Sequence, residues 1–216
     1  MSLAKLLQLA SPTLPVGAYS YSGGLEAAIE HGVVHDAASA ERWIGDVLEY
    51  SMARMEGPIL FSFLSAFARK DFLKAKEKNE MFLASRETAE LRAETVQMGY
   101  SLNRLFKDLG LGEVPVEEPS FPAAFAYAAA QWNIEPEAAL QAYLWAWIEN
   151  QVMAALKAVP LGQTDGQRMM LSLGNRIEDM MKKALAMQDD EIGNFAPGLA
   201  LLSSRHETQY SRIFRS

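Results

Sequence analysis

Three histidines, His31, His35 and His206, are the whole stock of imidazole chemistry in this sequence, which has no cysteine. His31 and His35 stand four apart, a spacing that metal-binding pairs use on one helix face. Gly32 lies between them beside an expected helix end, and Asp36 is better used as an N-cap. The plainer reading, exposed residues in a turn, is therefore favoured. His206-Glu207 opens like the zinc-protease motif H-E-x-x-H, but position 210 is Tyr and the second ligand is missing. Leu161-Gly162-Gln163-Thr164-Asp165-Gly166-Gln167 carries two glycines without the Gly-Lys-Ser/Thr that a P-loop needs to hold phosphate and magnesium, so it reads as a turn and helix N-cap. Ser20, Ser22, Ser203, Ser204, His206 and Glu207 contain the elements of a hydrolase triad but lack the G-x-S-x-G elbow. Without cysteine, disulfides, thiolate metal sites and iron–sulfur clusters are excluded. No catalytic residue, resident metal or cofactor is expected, and the chain is not read as an enzyme.

Two segments carry interaction chemistry instead. The first runs from Ser11 to Glu26, where two prolines and three glycines impose an extended-and-turn path. Tyr19 and Tyr21 give it rigid anchors that lose little entropy on docking. The second is the end of the chain, Ser203 to Ser216, where Arg205, Arg212 and Arg215 alternate with Tyr210 and Phe214. Arginine with aromatic residues is the composition of interaction hot spots. This basic patch stands out in a chain of net charge −7. A nucleic-acid binder needs a basic face in bulk, and none is evident.

The elements that must position these segments read as helices almost throughout. After Asp36, residues Ala40, Trp43, Ile44, Val47, Leu48 and Met55 form one apolar stripe, which Gly57-Pro58 should end or kink. Ile59 to Phe67 follows, and Asp71 can cap the next helix. From Arg86 to Leu109, residues Leu91, Met98, Leu102, Leu105 and Leu109 share a face, with Arg86, Glu87, Glu90, Arg92 and Glu94 as a charged exterior. Gly110 to Pro122 reads as an ordered loop. Pro136 to Val159 is apolar on almost every face, the pattern of a buried central helix. One amphipathic helix is expected from the Pro160–Gly166 loop to about Met187, then a break at Asp189–Gly193 and a short helix from Pro197. The prediction is an all-α, single-domain bundle of about eight to ten helices over residues 1–216, with a mobile tail at 205–216. The start, Met1 to Lys5, is wrongly flanked for a secretory signal, and no apolar run approaches the ~20 residues of a spanning helix. A cytoplasmic protein is expected.

The residues also resemble a known family. Leu14-Pro15-Val16-Gly17-Ala18-Tyr19-Ser20-Tyr21-Ser22 with Gly24-Leu25-Glu26 is similar to the amino-terminal motif of the urease accessory protein UreF family. Arg205-His206-Glu207-Thr208-Gln209-Tyr210-Ser211-Arg212-Ile213-Phe214-Arg215-Ser216 resembles that family's carboxyl terminus, and Arg86–Arg92 and Lys157–Gln163 fall between them in the expected order. Gly23 departs from the pattern, which has a larger polar or aromatic residue there. The resemblance implies a dimerising maturation chaperone that binds UreD (UreH in some organisms). The pair recruits the GTPase UreG to apo-urease and couples GTP hydrolysis to nickel insertion. By that match Arg205, His206, Glu207, Tyr210, Arg212, Phe214 and Arg215 are the docking residues, with Lys157 and Gln163 on the GTPase-facing surface. The alternative is a helical hydrolase or a helical regulatory module unrelated to urease.

Overall fold

The computed structural model describes residues 3–216, and these are helical without a strand. Met1 and Ser2, part of the start read above, lie outside the described residues. Helix α1 (Leu3–Leu9) leads through a 3-10 turn (Ala18–Ser20) to α2 (Leu25–Glu30). Helices α3 (Ala37–Val47) and α4 (Gly57–Ala68) are joined by a π-helical stretch, Leu48–Glu56. Then come α5 (Phe72–Ala84), α6 (Ala89–Asp108), α7 (Phe121–Gln131), α8 (Pro136–Ala158), α9 (Gln163–Gly174), α10 (Ile177–Ala186) and α11 (Pro197–His206).

Local chemistry sets several boundaries as expected. Asp36 caps α3, its carboxylate accepting from Ser39 N at 2.8 Å, and Asp71 caps α5 by accepting from Lys74 N at 3.1 Å. The Gly57-Pro58 step does not end the helix. Proline lacks an amide proton and crowds the carbonyl of residue i−4. The rod passes through in π geometry, with Gly57 N donating to Met52 O. The freed Arg54 carbonyl accepts from Gly193 N at 3.2 Å, so the chain after α10 satisfies what the proline leaves open.

Helix α8 is the hub. It packs against α1, α2, α3, α4, α7, α9 and α10, which is why it is apolar on nearly all sides. Helix α7 is alanine-rich, and Ala123, Ala124, Ala126, Ala128 and Ala129 are buried, which lets α4 and α6 close on it. Phe125 meets Tyr143 of α8 edge-on at 5.1 Å, and Phe106 of α6 meets Trp132 at 5.9 Å. Gly99 is needed for a close approach: a Cβ there would lie 2.0 Å from the carbonyl oxygen of Pro119.

Four expectations need correction. The expected Arg86–Leu109 helix begins at Ala89, because Thr88 caps it through Leu91 N. The charges expected on its exterior are not all exterior: the Arg86 side chain, before the helix, is only 6% exposed, and the Glu94 carboxyl is turned inward. Leu109, at the helix end, is exposed rather than on the core face. The single helix expected from the Pro160–Gly166 loop to about Met187 is two, broken at Asn175–Arg176; just before the break Trp145 of α8 packs so close that a Cβ on Gly174 would sit 3.2 Å from its ring.

Candidate partner-docking surface

The two segments singled out for interaction chemistry meet in space. Gly17, Gly23 and Gly24 all have positive φ (+78°, +57° and +80°), so the chain before α2 doubles back into a tight platform. Gly23, the departure from the family pattern, occupies one of these left-handed positions. The final residues lie across the platform. Arg215 N donates to Ser20 O at 2.8 Å, Ser22 N donates to Ser216 O at 3.0 Å, and the Ser22 hydroxyl donates to the same oxygen.

Buried Glu26 is the centre of this seat. Its carboxylate accepts from Ile213 N at 2.6 Å, from Phe214 N at 2.9 Å and faces His206 Nε2 at 3.0 Å. The other ring nitrogen of His206 lies 2.6 Å from Glu90, which also holds Arg212 at 2.6 Å. An imidazole with a carboxylate oxygen at each nitrogen has the geometry of a double donor. Glu207 accepts from Ala89 N at 2.8 Å, placing an anion at the N-terminus of α6, where the helix dipole favours it. Ser216 Oγ donates to Glu94 at 2.6 Å. Burial pushes the Glu94 carboxyl up to about 7; the Ser216 hydrogen bond lowers it, and the nearby Glu56 and Glu90 carboxylates raise it. Burial also pushes the Tyr21 phenol up.

The residues expected to dock divide by exposure. His206, Phe214 and Tyr21 are buried within the chain, and Lys157 Nζ sits 4.6 Å over the Phe214 ring. Arg212 and Glu207 are tied to α6. Arg205, Gln163, Tyr19 (74% exposed) and the fully exposed Tyr210 face outward, and Arg215 is exposed with its guanidinium beside the Tyr21 hydroxyl. Sequence reasoning missed Glu26, Glu90 and Glu94 as the receiving groups. Glu26 had a signal, an acidic residue closing the Gly/Pro/Tyr motif; Glu90 and Glu94 had none beyond helical spacing.

The remaining chemical candidates are not assembled. Ser203 Oγ pairs with Thr88 Oγ1 at 2.8 Å, Ser22 with the chain end, and both nitrogens of His206 with carboxylates, so among the described residues no serine meets this imidazole. His31 and His35 are exposed in the turn around Gly32, each ring bonded to a nearby carbonyl. Asp165 accepts from Gly162 N at 3.2 Å, making the 161–167 segment the start of α9. Among the described residues no group of three or more His, Asp or Glu is arranged to hold a metal ion, and no helix is long and apolar enough to cross a membrane.

Fold and site together define an all-helical protein whose two terminal motifs form one composite surface. The UreF family model matches residues 34–174. The chain is 56% identical to the urease accessory protein UreF of Azoarcus sp. (strain BH72), over all of this chain and 96% of that protein. It is 52% identical to that of Dechloromonas aromatica (strain RCB) and 50% identical to that of Janthinobacterium sp. (strain Marseille), each over all of this chain and 98% of the relative. The chain belongs to the UreF family of urease accessory proteins.

Proposed function

We propose that this chain is a cytoplasmic, non-enzymatic maturation chaperone. With UreD (or UreH) it recruits the GTPase UreG to apo-urease, so that GTP hydrolysis is coupled to nickel insertion. The family membership supports the urease context. The observation that carries the docking role is the composite surface: the tail lies on the amino-terminal platform and presents Arg205, Tyr210 and Arg215 beside it, with Tyr19 exposed on the platform. A guanidinium offers carboxylates a planar, bidentate fork, and exposed tyrosines offer rigid area. Self-association is part of the proposal, since Trp145, Met153, Leu171 and Leu201 are exposed apolar groups available to a second copy. Light scattering at tens of micromolar checks this, a dimer being expected. Excursions of 205–216 from this seat before partner binding are proposed too, with nitrogen-15 relaxation of the free protein as their measure.

The deciding experiment replaces outward residues only. Tyr210→Ala with Arg215→Ala should keep the helical circular dichroism and thermal midpoint, yet abolish co-purification of UreD and UreG and nickel-dependent urease activation. Arg215→Lys should rescue poorly, because lysine keeps the charge without the fork. Unchanged recruitment by the double variant would refute the assignment of this surface.

A further inference from the structure

Between the amino-terminal platform, α6 and α8 lies a cavity of about 200 Å³. A water needs only ~10–15 Å³ of such space, so there is room for a ligand of several heavy atoms. Most of its wall is apolar, with Met52, Met98 and Trp147 among the lining residues, and exposed Tyr19 and Met153 stand at its mouth. Met52 belongs to the π-helical stretch, and π turns are frequent at functional sites. Three carboxylates line the same space: Glu56, Glu94 and Glu149. Glu56 is compensated, accepting from Arg86 Nη1 at 3.1 Å and from the Tyr143 hydroxyl at 2.6 Å. The other two are not. Glu94 accepts from Ser216 Oγ through Oε2, but among the described residues nothing bonds to Oε1, and the residue keeps accessible surface on the cavity that it lines. Burial alone pushes the Glu149 carboxyl up, with no hydrogen bond or charge beside it among the described residues.

The charge count decides the sign of the ligand. Arg86 cancels Glu56, and His206 and Arg212 hold Glu90. The Tyr143 and Tyr21 phenols are pushed up by burial and stay neutral. That leaves Glu94 and Glu149 as uncompensated acids, whereas buried charges are ordinarily paired. The two also stand apart: the charges felt at Glu94 are those of Glu56, Arg86 and Glu90, and Glu149 feels none. We infer that this cavity binds a linear aliphatic diamine in its diammonium form, one head on Glu94 Oε1, the other on Glu149, and its methylenes against Met52, Met98 and Trp147. An ammonium brings three donors and no acceptor, which suits a carboxylate oxygen without a partner. No further carboxylate or imidazole among the described residues joins the pair to hold a metal ion instead. Each methylene buried is worth about fourfold in affinity. Burial pushes Glu94 up to about 7, so it is mostly protonated at pH 6 and ionised at pH 8, while an aliphatic ammonium keeps its charge at both. The groups around Glu94 are Glu56, Arg86, Glu90, Tyr143 and Tyr21, with Ser216 Oγ bonded to it. Binding therefore strengthens as pH rises through 7, and the raised Glu149 carboxyl adds to the same trend.

The test is a thermal-shift and calorimetric titration of the full chain at pH 8 with the terminal diamines of propane, butane, pentane and hexane, against pentylamine, pentanol and magnesium chloride at matched ionic strength. Saturable binding is expected with an optimum at one chain length, roughly tenfold or more tighter than pentylamine and weaker at pH 6. Glu149→Gln keeps the shape of a partly exposed side chain but removes one charge, and should bring the best diamine down to the level of pentylamine. Glu94→Gln should do the same at the other head and remove most of the pH dependence. Ala146→Leu, on the cavity wall, should weaken every diamine while leaving the circular dichroism unchanged. Equal affinity for magnesium and the diamines, or no dependence on chain length, would reduce the effect to screening of surface charge and overturn the proposal. Pentanol binding as tightly as the diamine, Glu149→Gln binding as the parent does, or no saturable response would overturn it as well.

Discussion

Replacing Glu26 by glutamine tests whether the tail's seat is held at one residue. The side chain keeps its shape, but the carboxylate that accepts from Ile213 N and Phe214 N and faces His206 becomes an amide. One amide oxygen can serve one of those backbone donors, while the amide NH2 is turned toward another donor. Hydrogen bonds to a charged group contribute about 1.5–3 kcal/mol each, and a buried donor left unsatisfied costs about 1–3 kcal/mol. Losing at least one such bond and orphaning one N–H gives a net loss of about 2.5 kcal/mol, with the lower end of both ranges taken. At 1.4 kcal/mol per decade, the open population of the tail should rise on the order of a hundredfold. Trypsin reads this directly, because Arg205, Arg212 and Arg215 lie in or beside the segment. Where reclosing outruns cleavage, the cutting rate follows the open population. Mass spectrometry should find the C-terminal peptides released far faster from Glu26→Gln, with the helical circular dichroism nearly unchanged. Cleavage within a factor of about three of the parent, well below that hundredfold, would refute the reasoning.

Three further outcomes are expected. Glu94 has a native pKa of about 7 against an ordinary 4.5; the native state binds the extra proton, so stability falls as pH rises from about 4.5 through about 7 and is flat above. The loss is on the order of 3 kcal/mol at most, and Glu94→Gln should remove it, as urea midpoints at pH 5 and pH 8 will show. Gly99→Ala gains about 1 kcal/mol of helix propensity, but its methyl would sit 2.0 Å from the Pro119 carbonyl. That oxygen is backbone and cannot swing away, so overpacking prevails and urea denaturation should show a net loss of about 1–2 kcal/mol. The isolated protein should release no phosphate from GTP and bind nickel weakly; a stoichiometric sub-micromolar nickel site in calorimetry would contradict this.

What the sequence disclosed was what neighbouring residues decide. Asp36 and Asp71 were legible as caps because a cap is made within three residues, and α8 as the hub because a helix buried on every side must be apolar on every side. Arg86 was misread as exterior because its partner Glu56 lies 30 residues away on the π-helical stretch, and no local pattern reports such a pair. The α9–α10 break was missed for the same reason: Gly174 answers to Trp145 across the helix pair. The tail is the sharper case. Its arginines and aromatics have the composition of a docking segment, and that composition is indifferent to whether the acceptor belongs to another protein or to the same chain. Glu26, Glu90 and Glu94 are tethered to it, at an effective concentration in the millimolar range for a short flexible connection, which few partners match. The chain's own carboxylates therefore take His206, Arg212 and the last backbone amides first, and Arg205, Tyr210 and Arg215 are left outward. Backbone ordering costs about 1–2 kcal/mol per residue. A partner that reads those three on a seated tail meets part of that cost already borne by the fold, which is the physical advantage of joining the two ends of the chain into one surface.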